Sequence, residues 1–276
     1  MEKIEIKVKR DDKISNHMLD FGFSYSSINK ILRNKDVRVD GVKKSDDEIV
    51  YSGQTLTIFT PVLPKQKFEI VYEDENIYVI NKLSGIEVEG SEGLEGKIPG
   101  AIAVHRLDRN TEGLLVMAKN KKSEEILSKA IKKQCFEKKY LCEVVGTPYF
   151  KGEKFTAYLL KDSKNSNVKI FKTFVQNSVK IETIFKTLKA GRESSIVEAS
   201  LITGKTHQIR AHLAFLGFPI VGDGKYGRNE DNKKFKEKTQ KLHCYYLKLN
   251  GLEDELNYLN QKTFKFLPEW AKNINF

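Results

Sequence analysis

Beyond residue 68 the sequence reads mainly as strands, and the strands do not alternate regularly with helices. FEIVYEDENIYVINK divides into two strand-like halves about the polar turn Glu73 to Asn76. Further strand-like runs follow at Leu114 to Ala118, Tyr140 to Val145, Val179 to Leu188 and Ile196 to Ile202. Two stretches carry helical periodicity. Ser123 to Lys133 places Ile126, Leu127, Ala130 and Ile131 on one side, and Thr206 to Leu216 does the same with Ile209, Leu213 and Leu216. A doubly wound parallel fold requires regular strand–helix alternation, so the pattern predicts an α+β domain with a mainly antiparallel or mixed sheet flanked by helices and loops. The spans Val88 to Gly100 and Arg228 to Lys241 are rich in glycine, glutamate and other charged residues and are expected to be mobile loops.

A chain of 276 residues is long for a single core, and its first 60 read as a separate α/β unit. Ser24 is placed to cap a helix whose Ile28, Ile31 and Leu32 recur at the spacing of one buried face. Val37 and Val39 alternate with polar residues, Asp40-Gly41 supplies a tight turn, and Leu56 to Phe59 closes the hairpin region. Lys30, Arg33, Lys35, Arg38, Lys43 and Lys44 surround the helix and hairpin. Such a cluster suits either a solvated face or phosphate contact. The stretch SYSSINKILRNKDVRVDGVKKSDDEI resembles the alpha-L motif, a small RNA-binding module, and the resemblance favours phosphate contact by Lys30, Arg33, Lys35 and Arg38. Pro61, Pro64 and the polar residues 65–67 suggest a linker, giving expected domains at 1–60 and 68–276.

Charge narrows the partners. Lys and Arg number 48 against 37 Asp and Glu, a net charge of +11, which suits a polyanion such as nucleic acid or an anionic membrane surface. No apolar run approaches the roughly 18 residues of a membrane helix, and MEKIEIKVKRDDK is too charged for a signal peptide or anchor, so no membrane partner and a cytoplasmic location are expected. Cys135, Cys142 and Cys244 form no metal-binding or disulfide pattern and read as reduced thiols.

Two runs imitate nucleotide-binding signatures. Gly222, Gly224 and Gly227 fit G-x-G-x-x-G but lack a following helix pattern, and read as a turn. Ala199 to Thr206 ends in Gly-Lys-Thr like a phosphate loop, yet Leu201 and Ile202 continue a strand where such a loop must turn. The densest set of ionisable groups is His105-Arg-Leu-Asp108-Arg-Asn-Thr-Glu-Gly113, which leads straight into a strand, where catalytic groups concentrate. A turn built on Asp108, Asn110 and Gly113 is the alternative reading. A second polar run, Gly204 to His212, opens the later helix; His207 and His212 are five apart, not the four of a helical zinc pair.

Taken together, HRLDRNTEGLLVMAK and TGKTHQIRAHLAFLGFPIVGD resemble the two central signatures of the RluA family of pseudouridine synthases. EKKYLCEV resembles the family's tyrosine-bearing segment and VYEDENIYVINKLSG its opening strands, so the likeness runs from about Phe68 to Trp270. The resemblance implies an enzyme that detaches uracil from its sugar through N1, turns it and rejoins it through C5, with no cofactor. It implies Asp108 as the catalytic carboxylate, Arg210 as the guanidinium beside it and Tyr140 as the aromatic against the target base, helping to move the C5 proton. Arg106 corresponds to the residue associated with flipping the uridine out of its stack, and His105, Lys205 and His207 to polar or phosphate contacts along the RNA path.

Four departures from the family pattern stand out: Glu112 for a serine, Lys205 for an arginine, Leu83 for a proline, and His243-Cys-Tyr for Leu-His-Ala. Glu112 is expected to bring negative charge near the RNA path. The alpha-L likeness favours large-subunit ribosomal RNA as substrate; transfer RNA and a non-catalytic role in ribosome assembly are the alternatives, and a monomer is expected.

Overall fold

A computed structural model describes residues 1–8, 10–23, 25–61, 67–162 and 167–273 of the protein. The expected cap Ser24 and the linker residues 62–66 lie outside the described residues. Backbone contacts divide the chain into two compact units, Met1–Lys67 and Phe68–Phe276.

In the first unit, strands β1 (Glu2–Lys7), β2 (Val37–Val39), β3 (Val42–Lys44) and β4 (Thr55–Thr60) form a sheet in the order β1-β4-β2-β3. Helices α1 (Ile14–Asp20) and α2 (Tyr25–Arg33) complete the unit. Ile28, Ile31 and Leu32 of α2 are buried, as their spacing predicts. The hairpin between β2 and β3 turns on two residues because Asp40 and Gly41 both take positive φ, 46° and 87°, the combination that matches the twist of paired strands.

The second unit is built on one mixed sheet. Its main path runs through β5 (Phe68–Glu73), β6 (Ile77–Lys82), β7 (Glu112–Ala118), β8 (Glu137–Val145), β9 (Lys151–Asp162), β10 (Asn167–Phe171), β11 (Val179–Ala190), β12 (Ser194–Leu201) and β13 (Leu242–Lys248), with the short strands Ile102–Ala103 and Thr263–Lys265 pairing beside β7 and β13. The order across the sheet is β10-β9-β11-β12-β8-β13-β7-β6-β5. Every pairing along this path is antiparallel except β7 with β13, which run parallel through Glu112↔His243 and Gly113↔Cys244. Helices α3 (Lys121–Lys132) and α4 (Gln208–Phe215) occupy the two helical stretches of the sequence.

The spans expected to be loops are partly ordered. Residues 94–97 form one helical turn whose Leu94 is fully buried, with Val88 and Ile98 also in the core. Asn229–Phe235 forms a short helix that the polar composition disguised.

The junction of β7 and β13 matters most for the site, since β7 leaves the loop that carries Asp108. Gly113 takes φ +111°, and an added Cβ would lie 2.3 Å from the Cys244 carbonyl oxygen and 2.4 Å from its nitrogen. Both the backbone conformation and the close approach exclude a side chain. Gly113→Ala is therefore expected to cost about 3 kcal/mol of unfolding free energy in urea titration of the full chain, combining left-handed strain with overpacking.

Candidate active site

The loop between Ile102–Ala103 and β7 is shaped from within. The Thr111 N–H donates to the Asp108 carbonyl at 2.9 Å, closing a turn, and the Thr111 hydroxyl accepts from the Gln240 amide at 2.6 Å in the interior. Beneath this turn the fully buried Lys82, last residue of β6, donates to the carbonyls of Leu83, Ile86 and Arg109 at 3.1, 2.9 and 2.9 Å. Three carbonyl oxygens replace the hydration that burial removes from the ammonium, and they tie the Asp108 loop to the segment after β6.

Across the cleft, α4 presents Arg210. The chain enters this helix through His207 in the left-handed region, φ 54°. Gln208 then fastens the helix start: its carbonyl oxygen accepts from Lys205 N–H at 3.0 Å and its amide donates to the Thr183 hydroxyl at 3.0 Å. Arg210 is buried and reaches carboxylates on both sides. Nε and Nη2 donate to the two oxygens of Asp223 at 2.7 and 2.9 Å, while Nη1 donates to Asp108 Oδ2 at 2.9 Å. Burial pulls the guanidinium pKa down, but the hydrogen bonds and charge of Asp223, then of Asp108, outweigh it and the net movement is up. Asp223 has no solvent exposure and also accepts from the N–H groups of Lys225 and Tyr226. Burial alone would raise its carboxyl; Arg210 and these N–H donors hold it below the ordinary value.

Asp108, Tyr140 and Arg210, far apart in sequence, line one cleft of about 590 Å³. His207 closes on the same carboxylate, its Nε2 at 3.8 Å from Asp108 Oδ2, with Nδ1 at 2.8 Å from the Tyr226 hydroxyl. Burial, with Arg210 adding, outweighs Asp108 and lowers the His207 pKa, favouring the neutral ring. Tyr140 is buried, and burial, then Cys244 and Asp108, push its phenol well above the ordinary tyrosine value. His105 also lines the cleft, but its Nε2 accepts the Val116 N–H at 3.2 Å, and desolvation with the Lys138 charge keeps the ring neutral. It braces β7 rather than presenting a cation.

Arg106 and Lys205 stand exposed at the rim. Arg106 leans toward Glu89 at 3.3 Å and Glu87 at 3.9 Å. In the first unit Lys30, Arg33 and Lys35 are exposed, whereas Arg38 is partly buried with its guanidinium 5.0 Å above the Phe59 ring. Lys44 pairs with Glu48 at 2.5 Å.

Glu112 departs from expectation. It is absent from the cleft wall, because its carboxylate turns to the Ser84 N–H at 3.3 Å and to the buried His243 at 3.7 Å. Two departures from the family pattern are thus one contact, brought together by the register of β7 and β13. Asp223 and Tyr226 are the residues that sequence reasoning passed over. They sit in the glycine run read as a turn, where only the charge of an Asp after Val-Gly could have signalled a partner for Arg210.

The pattern of the family described as RNA pseudouridylate synthase matches residues 76–215. The chain belongs to that family. It is 31% identical over 259 residues to ribosomal large subunit pseudouridine synthase C of Escherichia coli (strain K12), covering 84% of this chain and 81% of that one. The protein of the same name from Vibrio vulnificus is 32% identical over 229 residues, covering 73% and 71% of the two chains. Among solved structures, human RNA pseudouridylate synthase domain containing 1 matches with a TM-score of 0.59 and 26% identity over 67% of this chain and 80% of that chain. Human RNA pseudouridylate synthase domain containing 4, at 24% identity and TM-score 0.60 over 73% and 89%, shares the fold.

Within the synthase, Asp223 anchors Arg210 by two bonds and Asp108 by one. Removing one member of a buried pair leaves an uncompensated charge worth roughly 3 to 5 kcal/mol. Asp223→Asn is expected to lose stability in that range, and more than Asp108→Asn does in the same urea series; equal losses would show that Asp223 is not the anchor.

Acid should also weaken the fold through His212. This ring is 1% exposed, its Nδ1 lies 3.2 Å from the Thr183 hydroxyl, and burial lowers its pKa to about 4. Between about 4 and the ordinary histidine value the unfolded chain takes a proton that the folded chain refuses, so stability falls as pH drops through that window, by roughly 3 kcal/mol at most. Unfolding titrations from pH 7 to 4.5 should show the fall, and His212→Gln should make it shallower.

Proposed function

We propose that this synthase isomerises a uridine of large-subunit ribosomal RNA to pseudouridine, with Asp108 as the catalytic carboxylate. The observation that carries the reading is the 2.9 Å pair between Asp108 and Arg210 in a cleft that also holds the Tyr140 phenol. The pair fixes where the carboxylate points, and a reaction needing no gain or loss of atoms needs little more than an aimed carboxylate and a path for one proton. The substrate class rests on the names of the curated relatives, each a ribosomal large subunit pseudouridine synthase C.

The target uridine is flipped from its stack into the cleft, and exposed Arg106 fills or holds the place it leaves. Asp108 then acts on the nucleoside while the uracil is detached, turned and rejoined through C5. Tyr140 lies against the ring. A phenol that burial keeps protonated cannot by itself act as a base, so it relays: it takes the C5 proton as its own passes to the Asp108 carboxylate, whose charge already disfavours the phenolate, and N1 takes up a proton from water so that the base leaves neutral. No cofactor enters these steps.

Lys205 and His207 border the RNA path, and His105 supports its floor. The first unit acts as an alpha-L RNA-binding domain, with exposed Lys30, Arg33 and Lys35 on phosphates and Arg38 held in place by Phe59. The protein works as a cytoplasmic monomer; among the described residues no helix is long and apolar enough to cross a membrane.

Carbodiimide labelling of cellular RNA from strains with and without the gene, read by primer extension, identifies the modified uridine. A stop lost only from large-subunit RNA supports the assignment, and one lost from transfer RNA redirects it. Asp108→Asn should bind that RNA within about threefold of the native protein and modify none of it; full activity would remove Asp108 from the mechanism.

A further inference from the structure

Two cations that line the cleft, Lys132 and Lys138, take no part in the steps above, and of the two only Lys138 is sheltered from solvent. Lys138 lies on β8 two residues before Tyr140, so the two side chains leave the same face of the strand, roughly 7 Å apart along it. Both line the cleft with Asp108 and Arg210. Lys138 is only partly exposed, and its ammonium makes no ion pair or hydrogen bond with any described residue. Its titratable neighbours are neutral. Desolvation and Lys138 itself keep His105 uncharged, burial pushes the Cys244 thiol up to about 12, and Tyr140 stays a phenol. Burial lowers the Lys138 pKa, the sign of an ammonium whose lost hydration the protein does not replace.

Lys82 shows the contrast within the same unit. That lysine is buried more deeply, but three carbonyls surround it. An ammonium left unmatched beside the reacting groups is matched by something that arrives with the substrate.

We infer that Lys138 is a further catalytic residue, whose ammonium stabilises the negative charge that uracil acquires when its bond to the sugar breaks. The inference rests on the pseudouridine synthase reading of this cleft. When Asp108 acts on the sugar, the N1–C1′ bond breaks with its electron pair going to N1, and the charge spreads to the two carbonyl oxygens of the base. A ring lying against Tyr140 places a carbonyl oxygen toward Lys138, at about the distance that separates the two side chains. The electron pair then forms the C5–C1′ bond as Asp108 is released from the sugar, the C5 proton passes through Tyr140 to the freed carboxylate, N1 takes up one proton from water in exchange, and Lys138 neither gains nor loses a proton. A phosphate is the lesser fit, because the exposed cations of the cleft are Arg106, Lys132 and Lys205. A donor aimed at charge that develops only during reaction acts on the rate of conversion and little on binding.

The test is single-turnover conversion of the RNA identified by carbodiimide mapping, carrying either uridine or 5-fluorouridine at the target, with nucleosides quantified after digestion. Fluorine at C5 stabilises the same uracil anion and leaves no C5 proton to remove, so loss of 5-fluorouridine reports cleavage and rejoining alone. Lys138→Met should lower the rate on uridine about 100-fold, leave RNA affinity within about threefold, and lose at least tenfold less on 5-fluorouridine. Lys138→Arg, which keeps the charge, should stay within about tenfold of the native protein, and it carries the test should the methionine variant not fold.

Equal losses on the two substrates would overturn the inference in favour of a structural role. Weakened affinity with an unchanged saturating rate would assign Lys138 to a phosphate. A native protein that converts neither substrate would sink the reading of the cleft itself, and this inference with it.

Discussion

A single guanidinium held between two carboxylates organises the catalytic half of this protein. Arg210 is buried, and burial of a cation costs least where its donors are matched. Asp223 takes two of them and is itself fixed by two backbone N–H groups, so the planar fork has one orientation left. The remaining Nη1 then points across the cleft at Asp108. Everything that shapes the site serves that meeting: Gln208 and the left-handed His207 set the start of α4, while Lys82 and Thr111 set the loop on the other side.

Around this charged core several groups stay neutral, and Lys138 is the sheltered cation among them. His105 gives up a ring nitrogen to a strand N–H, His207 shares one with Tyr226, and the Tyr140 phenol, like the Cys244 thiol next to it outside the lining, is too buried to ionise readily. Fixed charges in such surroundings interact more strongly than they would in water, so a few of them suffice. Arg106 and Lys205 at the rim, and Lys30, Arg33 and Lys35 on the first unit, are exposed and free of the interior carboxylates that hold Arg210.

The departures from the family pattern show how local such changes remain. Glu112 and His243 replace smaller or differently placed side chains, yet each faces the other across paired strands and away from the cleft. Leu83 follows Lys82 where a proline is usual, and the lysine still finds its three carbonyls.

Much was legible in the sequence because it is carried by short-range pattern. Short apolar runs beside polar turns marked central strands such as Ile77–Lys82 and Glu112–Ala118, the spacing of Ile28, Ile31 and Leu32 marked a helix, and motif order singled out Asp108, Tyr140 and Arg210 as candidates. The strands Lys151–Asp162 and Leu242–Lys248 were not legible: the first is too polar on both faces and the second adjoins a charged run. The role of Asp223 was hidden for another reason. Its partner is 13 residues away on a helix, and no periodicity of the chain encodes a contact made when α4 packs beside a turn. The neutrality of His105, the inward turn of Glu112 and the solitude of Lys138 are likewise products of burial. Sequence determines which groups can ionise; only tertiary structure decides which lose their water and what is left to face them.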